Sequence, residues 1–229
     1  FRSEKVHHLE NLKVLLTKTP SVKNLRFFFD IFPAAYLLII IRDGRSLVES
    51  GVKSFNWNYE GAMHEWADAA KKIIDFGELH QKDKDRFLII KYEDLFRNPG
   101  KELHKIFSLM DLHSESYNFE DAVNLMVTGS SELKNRKAKN IHWKPVPKPV
   151  GFNPSARHEH WNRFKHERFN WLAGKYQTYF DYPILENNSF RFFFTIVNYL
   201  LDFIWILRKS IRRILFRNKM TEIIRIKPG

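Results

Sequence analysis

Two short apolar runs constrain the fold of this chain more than any other feature. Tyr36–Ile41 is a continuous apolar run that stops abruptly at Arg42 and Asp43, and Arg86–Tyr92 holds a second run of the same kind. Runs of this length that are rich in Ile, Leu and Phe are typical of strands buried on both faces, as the strands of parallel sheets are. The two runs therefore predict neighbouring strands of a parallel sheet.

Apolar residues at helical spacing fill the stretches around these strands. Residues 46–53 and 59–81 are predicted helices between the two strands, which is the crossover that a parallel pair requires. Further helices are predicted over 3–16, 21–32, 98–109 and 156–180, and a long surface loop over 128–155. We expect an α/β domain over residues 1–185, with a sheet flanked by helices, and a separate helical tail over 186–229.

Composition excludes several classes of site. The chain has no Cys, which excludes disulfide scaffolds, zinc ribbons, thiol nucleophiles and iron–sulfur clusters. Its formal net charge of +12 favours an anionic partner such as a nucleotide, a phosphate group or an anionic lipid. Neither of the common glycine-rich phosphate-binding motifs is present. His158, His160 and His166 do not have the spacing of a metal-binding motif, so we expect no metal.

The tail is amphipathic. Residues 190–207 are almost entirely apolar, yet four polar residues recur at spacings of four, three and four and form one stripe of a helix: Arg191, Thr195, Asn198 and Asp202. Residues 190–229 hold nine Lys and Arg against two Asp and Glu, so they carry +7 of the total charge. We predict that residues 190–217 lie on an anionic membrane surface, with basic headgroup contacts from Arg208, Lys209, Arg212, Arg213 and Arg217. The alternative is that the apolar stretch packs on the domain as a core helix.

The end of the first predicted strand is a candidate ligand site. In doubly wound α/β folds, ligands bind outside the carboxyl ends of the strands, often against the N-terminus of the next helix. Arg42 lies at such an end, and Ser50 follows eight residues later, about two helical turns along. A guanidinium and a hydroxyl in this arrangement can bind one phosphate group. Taken singly, Arg42 is better explained as an ordinary surface arginine at the end of a strand.

Three segments together resemble the sulfotransferases that use 3′-phosphoadenosine 5′-phosphosulfate (PAPS). Ile41–Ser50 is similar to the family's 3′-phosphate-binding signature, with an Arg and a Ser eight residues apart. Lys91–Pro99 resembles its second recurring segment, and Leu16–Pro20 its Lys-Thr-Pro element near the reacting sulfate. The resemblance covers roughly residues 14–180, and it implies a parallel sheet like that of P-loop NTPases.

The resemblance also implies roles for individual residues. Arg42 and Ser50 would bind the 3′-phosphate of PAPS, Tyr92 would lie against its adenine, and Lys18 would lie near the transferred sulfuryl group. A late basic loop would add another 3′-phosphate contact, for which the candidates are Gly129, Ser130, Arg136 and Lys137. The family's 5′-phosphosulfate loop would precede residue 1. Pro20 and Thr17 stand where some relatives have His or Glu, so no catalytic base is assigned.

These observations predict an enzyme that moves a sulfuryl group from PAPS to a hydroxyl or amine, without a metal. The alternative is a non-catalytic module that keeps the nucleotide fold and binds a membrane surface or a partner. A kinase with the same sheet also stays open, since the loop that would distinguish it lies upstream. We expect no nucleic-acid partner, because the basic residues concentrate in the tail and no nucleic-acid-binding motif is present. The expected location is cytoplasmic, with peripheral membrane association.

Overall fold

The computed structural model describes residues 15–19, 21–113, 115, 117–119, 121, 147, 150–185 and 190–225, and it describes the backbone alone at residue 212 and over 215–225. Seven helices and two strands make up the regular structure of this part of the chain. In chain order they are α1 (Phe28–Ile31), β1 (Leu37–Ile41), α2 (Gly44–Phe55), α3 (Tyr59–Leu79), β2 (Phe87–Lys91), α4 (Tyr92–Arg97), α5 (Pro99–Leu109), α6 (Arg163–Tyr179) and α7 (Arg191–Arg225). Short 3₁₀ turns lie at Leu25–Phe27 and Gln81–Asp83.

The two strands pair in parallel, as the apolar runs predict. Leu37 lies opposite Phe87 at one end of the ladder and Ile41 lies opposite Lys91 at the other, with no slip between them. Both strands therefore end at the same edge, directly before Arg42 and Tyr92. The chain is thus a mixed α/β protein with a small parallel sheet and mostly helices. Its likeness to P-loop NTPases stays a prediction, and so does the domain division between residues 185 and 186.

The core forms where α2, α3 and α6 pack together beside the sheet. Its central side chains are buried and mostly aromatic or small, and they include Val48, Met63, Trp66, Phe76 and Phe169. On α3 the buried residues recur every three or four positions, so one face of that helix packs into the core. This packing holds the first turn of α2 at the end of β1.

Several boundaries differ from the predicted ones because side chains cap helix ends. α2 begins at Gly44, two residues earlier than predicted, since the Asp43 carboxylate accepts hydrogen bonds from the backbone N–H groups of Arg45 and Ser46. α6 begins only at Arg163, where Asn162 caps it, and the residues before it form turns. The helix predicted over 3–16 does not include residues 15 and 16, and its other residues lie outside the described ones.

The polar stripe of α7 faces the domain and is held there by Arg168 of α6. The Arg168 guanidinium donates to Asp202 Oδ1 at 2.7 Å and to Asn198 Oδ1 at 3.3 Å, while its Nε lies 3.1 Å from both carboxylate oxygens of Glu60 on α3. The Trp171 indole N–H donates to the other oxygen of Asp202 at 2.8 Å. A charged network therefore joins α3, α6 and α7.

The apolar residues of α7 consequently face away from the domain. Among its described side chains only Phe194 and Asn198 are buried, and ten large apolar residues are exposed. The alternative in which this stretch packs as a core helix is therefore wrong for the described side chains, because the buried cation of Arg168 is neutralised by the polar stripe. No helix in the described part of the chain is both long enough and apolar enough to cross a membrane.

The Glu60 carboxylate makes the attachment of α7 sensitive to acid. Burial by itself raises the pKa of Glu60, but hydrogen bonds from His64 and Arg168 outweigh burial and lower the pKa to about 2. Because the folded-state pKa lies below the unfolded value of about 4.5, this carboxylate stabilises the fold above pH 4.5, and the stabilisation is lost as the pH falls toward 2.

We expect Glu60→Gln to lower the free energy of unfolding at neutral pH, and we expect the difference from the wild type to shrink between pH 4.5 and pH 2. Urea unfolding at a series of pH values measures this difference. Asp68→Asn is the matched control. Asp68 is exposed, and among the described residues its ion-pair partner is Lys72, one turn along α3, a contact worth less than about 1 kcal/mol. Equal losses for the two variants at every pH would contradict the prediction.

Candidate functional site

The turn after β1 is built around the carboxylate of Asp43. Besides capping α2, this carboxylate binds the Arg45 guanidinium through two contacts, of 2.6 Å and 3.1 Å. Burial raises the pKa of Asp43, but the hydrogen bonds and charge of Arg45 outweigh burial and hold the pKa below its usual range. Asp43 is therefore a fixed anion, and Arg45 is already neutralised by it. The cation of this turn that has no carboxylate partner among the described residues is Arg42.

Glu93 joins the ends of the two strands. One oxygen of its carboxylate accepts the backbone N–H of Asp43 at 3.1 Å, and the other accepts the Tyr182 hydroxyl at 2.6 Å. The Tyr182 hydroxyl also lies 3.3 Å from the carbonyl of Ile41. Burial, and then the hydrogen bond to Glu93 and its charge, raise the pKa of Tyr182, so its hydroxyl stays a donor. These contacts fix the backbone that carries Arg42 against the backbone that carries Tyr92.

Arg42 and Tyr92 lie together at this edge. The Arg42 guanidinium carbon is 4.9 Å from the centre of the Tyr92 ring, which is within the range of a cation–π contact. Its Nη2 donates to the carbonyl of Pro154, and its buried Nε makes no hydrogen bond to the described residues. Burial, and then the positive charge of Arg157, lower the pKa of Arg42. The structure therefore brings together a cation and an aromatic ring that the sequence placed on separate strand ends.

Arg157 is a site residue that the sequence did not reveal. Its Nη1 donates to the Ser50 hydroxyl at 2.9 Å, across 107 positions of the chain, and its side chain is 8% exposed. Ser50 lies in the second half of α2, about two turns beyond Arg42. Two guanidinium groups near a hydroxyl form a strong site for an anion such as a phosphate. No local pattern connects Arg157 to α2, so sequence reasoning had no signal for it.

A second group of side chains lies beside the first turn of α2. The Ser46 hydroxyl donates to the carbonyl of Ser155 and lies 3.0 Å from His158 Nδ1. Burial lowers the pKa of His158 to about 4, so this imidazole is neutral at physiological pH. Burial likewise lowers the pKa of His166. No group of three metal-binding side chains occurs among the described residues.

A cavity of about 640 Å³ opens at the same edge of the sheet. Its walls combine carboxylates with cations and a tyrosine, and they include Asp43, Lys91, Glu93, His158 and Tyr182. A cavity of this size holds a small molecule. Arg42, Ser50 and Arg157 are not among its described lining residues. Their chain neighbours Asp43 and His158 are, so the cavity lies next to the two guanidinium groups and does not contain them.

The remaining predicted site residues are not joined to this cluster by contacts of the described residues. Lys18 lies in the segment 15–19, is exposed, and makes none of the described hydrogen bonds to Arg42, Ser50 or Tyr92. The late-loop candidates Gly129, Ser130, Arg136 and Lys137 lie outside the described residues. Their roles stay predictions.

Comparison with known proteins agrees with the resemblance. A model of the sulfotransferase family matches residues 1–116, which is half of the chain. The chain belongs to the sulfotransferase family. The matched range contains Lys18, Arg42, Ser50 and Tyr92, while Arg157 lies outside it. A protein-tyrosine sulfotransferase of Drosophila melanogaster is 27% identical over 113 residues, which cover 46% of this chain and 22% of that protein. The chain thus spans about a fifth of the length of this relative.

Gly44 sets the position of the site because two aromatic rings pack against it. A Cβ at this position would lie 2.5 Å from both Phe169 and Trp66, whose rings are buried in the core. We expect Gly44→Ala to lower the free energy of unfolding by about 1–3 kcal/mol. Urea unfolding measures the loss.

Gly77→Ala is the control for this prediction. A Cβ at Gly77 meets nothing closer than Ile89 at 3.9 Å, so alanine at this helical position should stabilise the fold by about 0.5–1 kcal/mol. A Gly44→Ala variant as stable as the wild type would show that the first turn of α2 is not confined by these rings.

Proposed function

We propose that this member of the sulfotransferase family transfers a sulfuryl group from PAPS to a hydroxyl or an amine. The observation that carries the proposal is the convergence of Arg42, Arg157 and Ser50 beside the ring of Tyr92. This arrangement matches a nucleotide that carries a separate phosphate on its ribose, since it offers two cations and a hydroxyl next to an aromatic surface. The family match supports the transfer reaction, and PAPS is the donor that the resemblance implies.

The charges of the site favour a phosphate. Burial lowers the pKa of Arg42 most, and Arg157 is close enough for its positive charge to lower it further. A phosphate dianion between them would offset this repulsion and accept charge-assisted hydrogen bonds from both forks. We assign the 3′-phosphate of PAPS to Arg42, Ser50 and Arg157, and the adenine to the exposed part of the Tyr92 ring.

The proposed transfer places demands on the rest of the chain. The bond between sulfur and the bridging oxygen of PAPS breaks, a bond forms from sulfur to the acceptor oxygen or nitrogen, and 3′-phosphoadenosine 5′-phosphate leaves. The acceptor proton passes to a base. Lys18 is the proposed electrostatic partner of the transferring group, because a cation there would stabilise the charge that develops on the leaving oxygen. We further propose that Gly129, Ser130, Arg136 and Lys137 contribute to the 3′-phosphate site.

The binding test compares two nucleotides that differ in the 3′-phosphate alone. We expect Arg42→Gln and Arg157→Gln each to weaken binding of 3′-phosphoadenosine 5′-phosphate by about 1.5–3 kcal/mol, and Ser50→Ala by about 0.5–1.5 kcal/mol. Binding of adenosine 5′-phosphate should change little, since it lacks the group that these side chains hold. Isothermal titration calorimetry measures both affinities.

Arg26→Gln is the matched control for the binding test. The Arg26 guanidinium carbon also lies 4.9 Å from an aromatic ring centre, that of Phe27, but Arg26 is exposed on another part of the chain. Its loss should leave both affinities unchanged. The 3′-phosphate assignment would be wrong if the Arg42 and Arg157 variants bound both nucleotides equally more weakly, or if they bound both as the wild type does.

The role of Lys18 is tested by activity. We expect Lys18→Ala to lower kcat for sulfuryl transfer by about 10²–10³-fold while leaving the affinity for 3′-phosphoadenosine 5′-phosphate unchanged, because its charge acts on the transition state. The assay follows labelled sulfate from PAPS to hydroxyl and amine acceptors, including a tyrosyl peptide, the acceptor that the name of the Drosophila relative suggests. Lys23→Ala, which removes another exposed lysine, is the control. An equal fall in kcat in the two variants would contradict the proposed role of Lys18.

The second candidate function is a non-catalytic nucleotide-binding module that acts at a membrane surface or on a partner. The exposed apolar face of α7 favours it. Nucleotide binding without transfer to any acceptor would support this candidate over the enzyme. A cytoplasmic location with peripheral membrane association stays part of the proposal.

A further inference from the structure

We propose that α7 docks on an anionic lipid bilayer through its outward apolar face. This proposal rests on the membrane association named above and gives it a surface, but it does not depend on sulfuryl transfer, because it is argued from the tail and not from the strand ends. The partner of this face is the headgroup and upper acyl region of a bilayer that contains anionic lipid.

The apolar face of α7 is long and continuous. Its members recur at spacings of one, three and four residues, so they lie on one side of the helix, and each is about half exposed or more: Phe192, Phe193, Ile196, Tyr199, Leu200, Phe203, Ile206, Leu207, Ile211 and Ile214. From Phe192 to Ile214 the helix extends about 33 Å. The exposed apolar area is on the order of 1,000 Å², more than the largest apolar patch of a typical monomeric protein.

The opposite side of α7 is fixed to the domain, so the apolar face cannot turn inward without breaking buried contacts. Asn198 and Asp202 are bound by Arg168, and the Trp205 ring stacks on His64 of α3 with 4.4 Å between centroids and 8° between planes. Turning the helix would leave the nearly buried Arg168 without two of its partners. The orientation is therefore set by the polar stripe.

Basic residues accompany the apolar face at its C-terminal end. The described side chains of Arg208, Lys209 and Arg213 are exposed, and the sequence adds Arg212 and Arg217. The acidic residue among the described side chains of α7 is Asp202, which is bound to Arg168 and Trp171. The exposed surface of the helix therefore combines apolar groups with cations, which is the composition of helices that lie in a membrane interface.

This composition favours a bilayer over a protein partner. A protein partner would need an apolar groove about 33 Å long with an acidic rim that matches one register. An anionic bilayer presents an apolar layer beneath negative headgroups everywhere along its plane. No described helix is suited to cross the membrane, so the helix would lie along the surface.

The experiment uses the whole chain of 229 residues and flotation with vesicles. We expect strong binding to vesicles of phosphatidylcholine with phosphatidylserine and weaker binding to vesicles of phosphatidylcholine alone. High salt should weaken the binding to the vesicles that contain phosphatidylserine. Arg208→Gln and Lys209→Gln should each weaken binding to the phosphatidylserine vesicles about fivefold and leave binding to phosphatidylcholine unchanged.

Ile206→Ser tests the apolar face, with Ile31→Ser as the matched control. The two isoleucines are 62% and 59% exposed, but Ile31 lies on α1, far along the chain from α7. We expect Ile206→Ser to weaken binding to both kinds of vesicle about tenfold or more, since an isoleucine no longer enters the bilayer. Ile31→Ser should bind as the wild type does.

Three results would overturn the proposal. The first is that the wild type binds neither kind of vesicle, and the second is that Ile206→Ser and Ile31→Ser bind equally well. The third is a dimer of the wild type in analytical ultracentrifugation that Ile206→Ser dissociates and vesicles do not, which would show that a second copy covers the face. Urea unfolding of each variant, measured in parallel, shows that its domain is folded. Absence of nucleotide binding by the wild type would contradict the proposed function alone.

Discussion

The carboxylate of Glu93 is the contact on which the site depends. It accepts one hydrogen bond from the backbone after β1 and one from Tyr182, which follows α6, so it joins three segments that are far apart in the chain. A buried carboxylate requires such donors, because a charge without partners costs several kcal/mol in the protein interior. Removing it would leave the Asp43 N–H without its acceptor and the Tyr182 hydroxyl with only the longer contact to the carbonyl of Ile41 among the described residues. Together with the parallel pairing of the strands, this group fixes the relative positions of Arg42 and Tyr92.

The parts of the structure that could be predicted are those specified by local patterns. β1, β2, α3 and α5 follow from apolar residues at periods that a single segment determines, and their observed ends lie within about two residues of the predicted ones. The start of α2 depends on a cap that shifts it to Gly44, and α4 begins at Tyr92, where the sequence indicated only the end of a strand. Arg42, Ser50 and Tyr92 came from motifs close to these elements.

Contacts across long stretches of chain could not be predicted in the same way. The bond from Arg157 to Ser50 and the bonds from Arg168 to Glu60 and Asp202 each join residues on different elements, and no spacing in the sequence indicates them. The tail shows the limit most clearly. Its polar stripe identified an amphipathic helix, but the side that faces the domain depends on Arg168 of α6. Because Arg168 binds the polar stripe, the apolar side of α7 faces outward, the reverse of the usual arrangement.

One helix links the tail to the site. α6 binds α7 through Arg168 and, nine residues further on, Gln177 accepts the backbone N–H of Gly44 at 3.1 Å, next to Arg42. Nine residues of α-helix span about 14 Å and bend little over that length. α6 is therefore a rigid spacer between the tail and the first turn of α2. Any surface that binds the tail would therefore hold the strand ends at a constant distance and angle from that surface. This distance would determine which acceptor groups attached to the surface can enter the site.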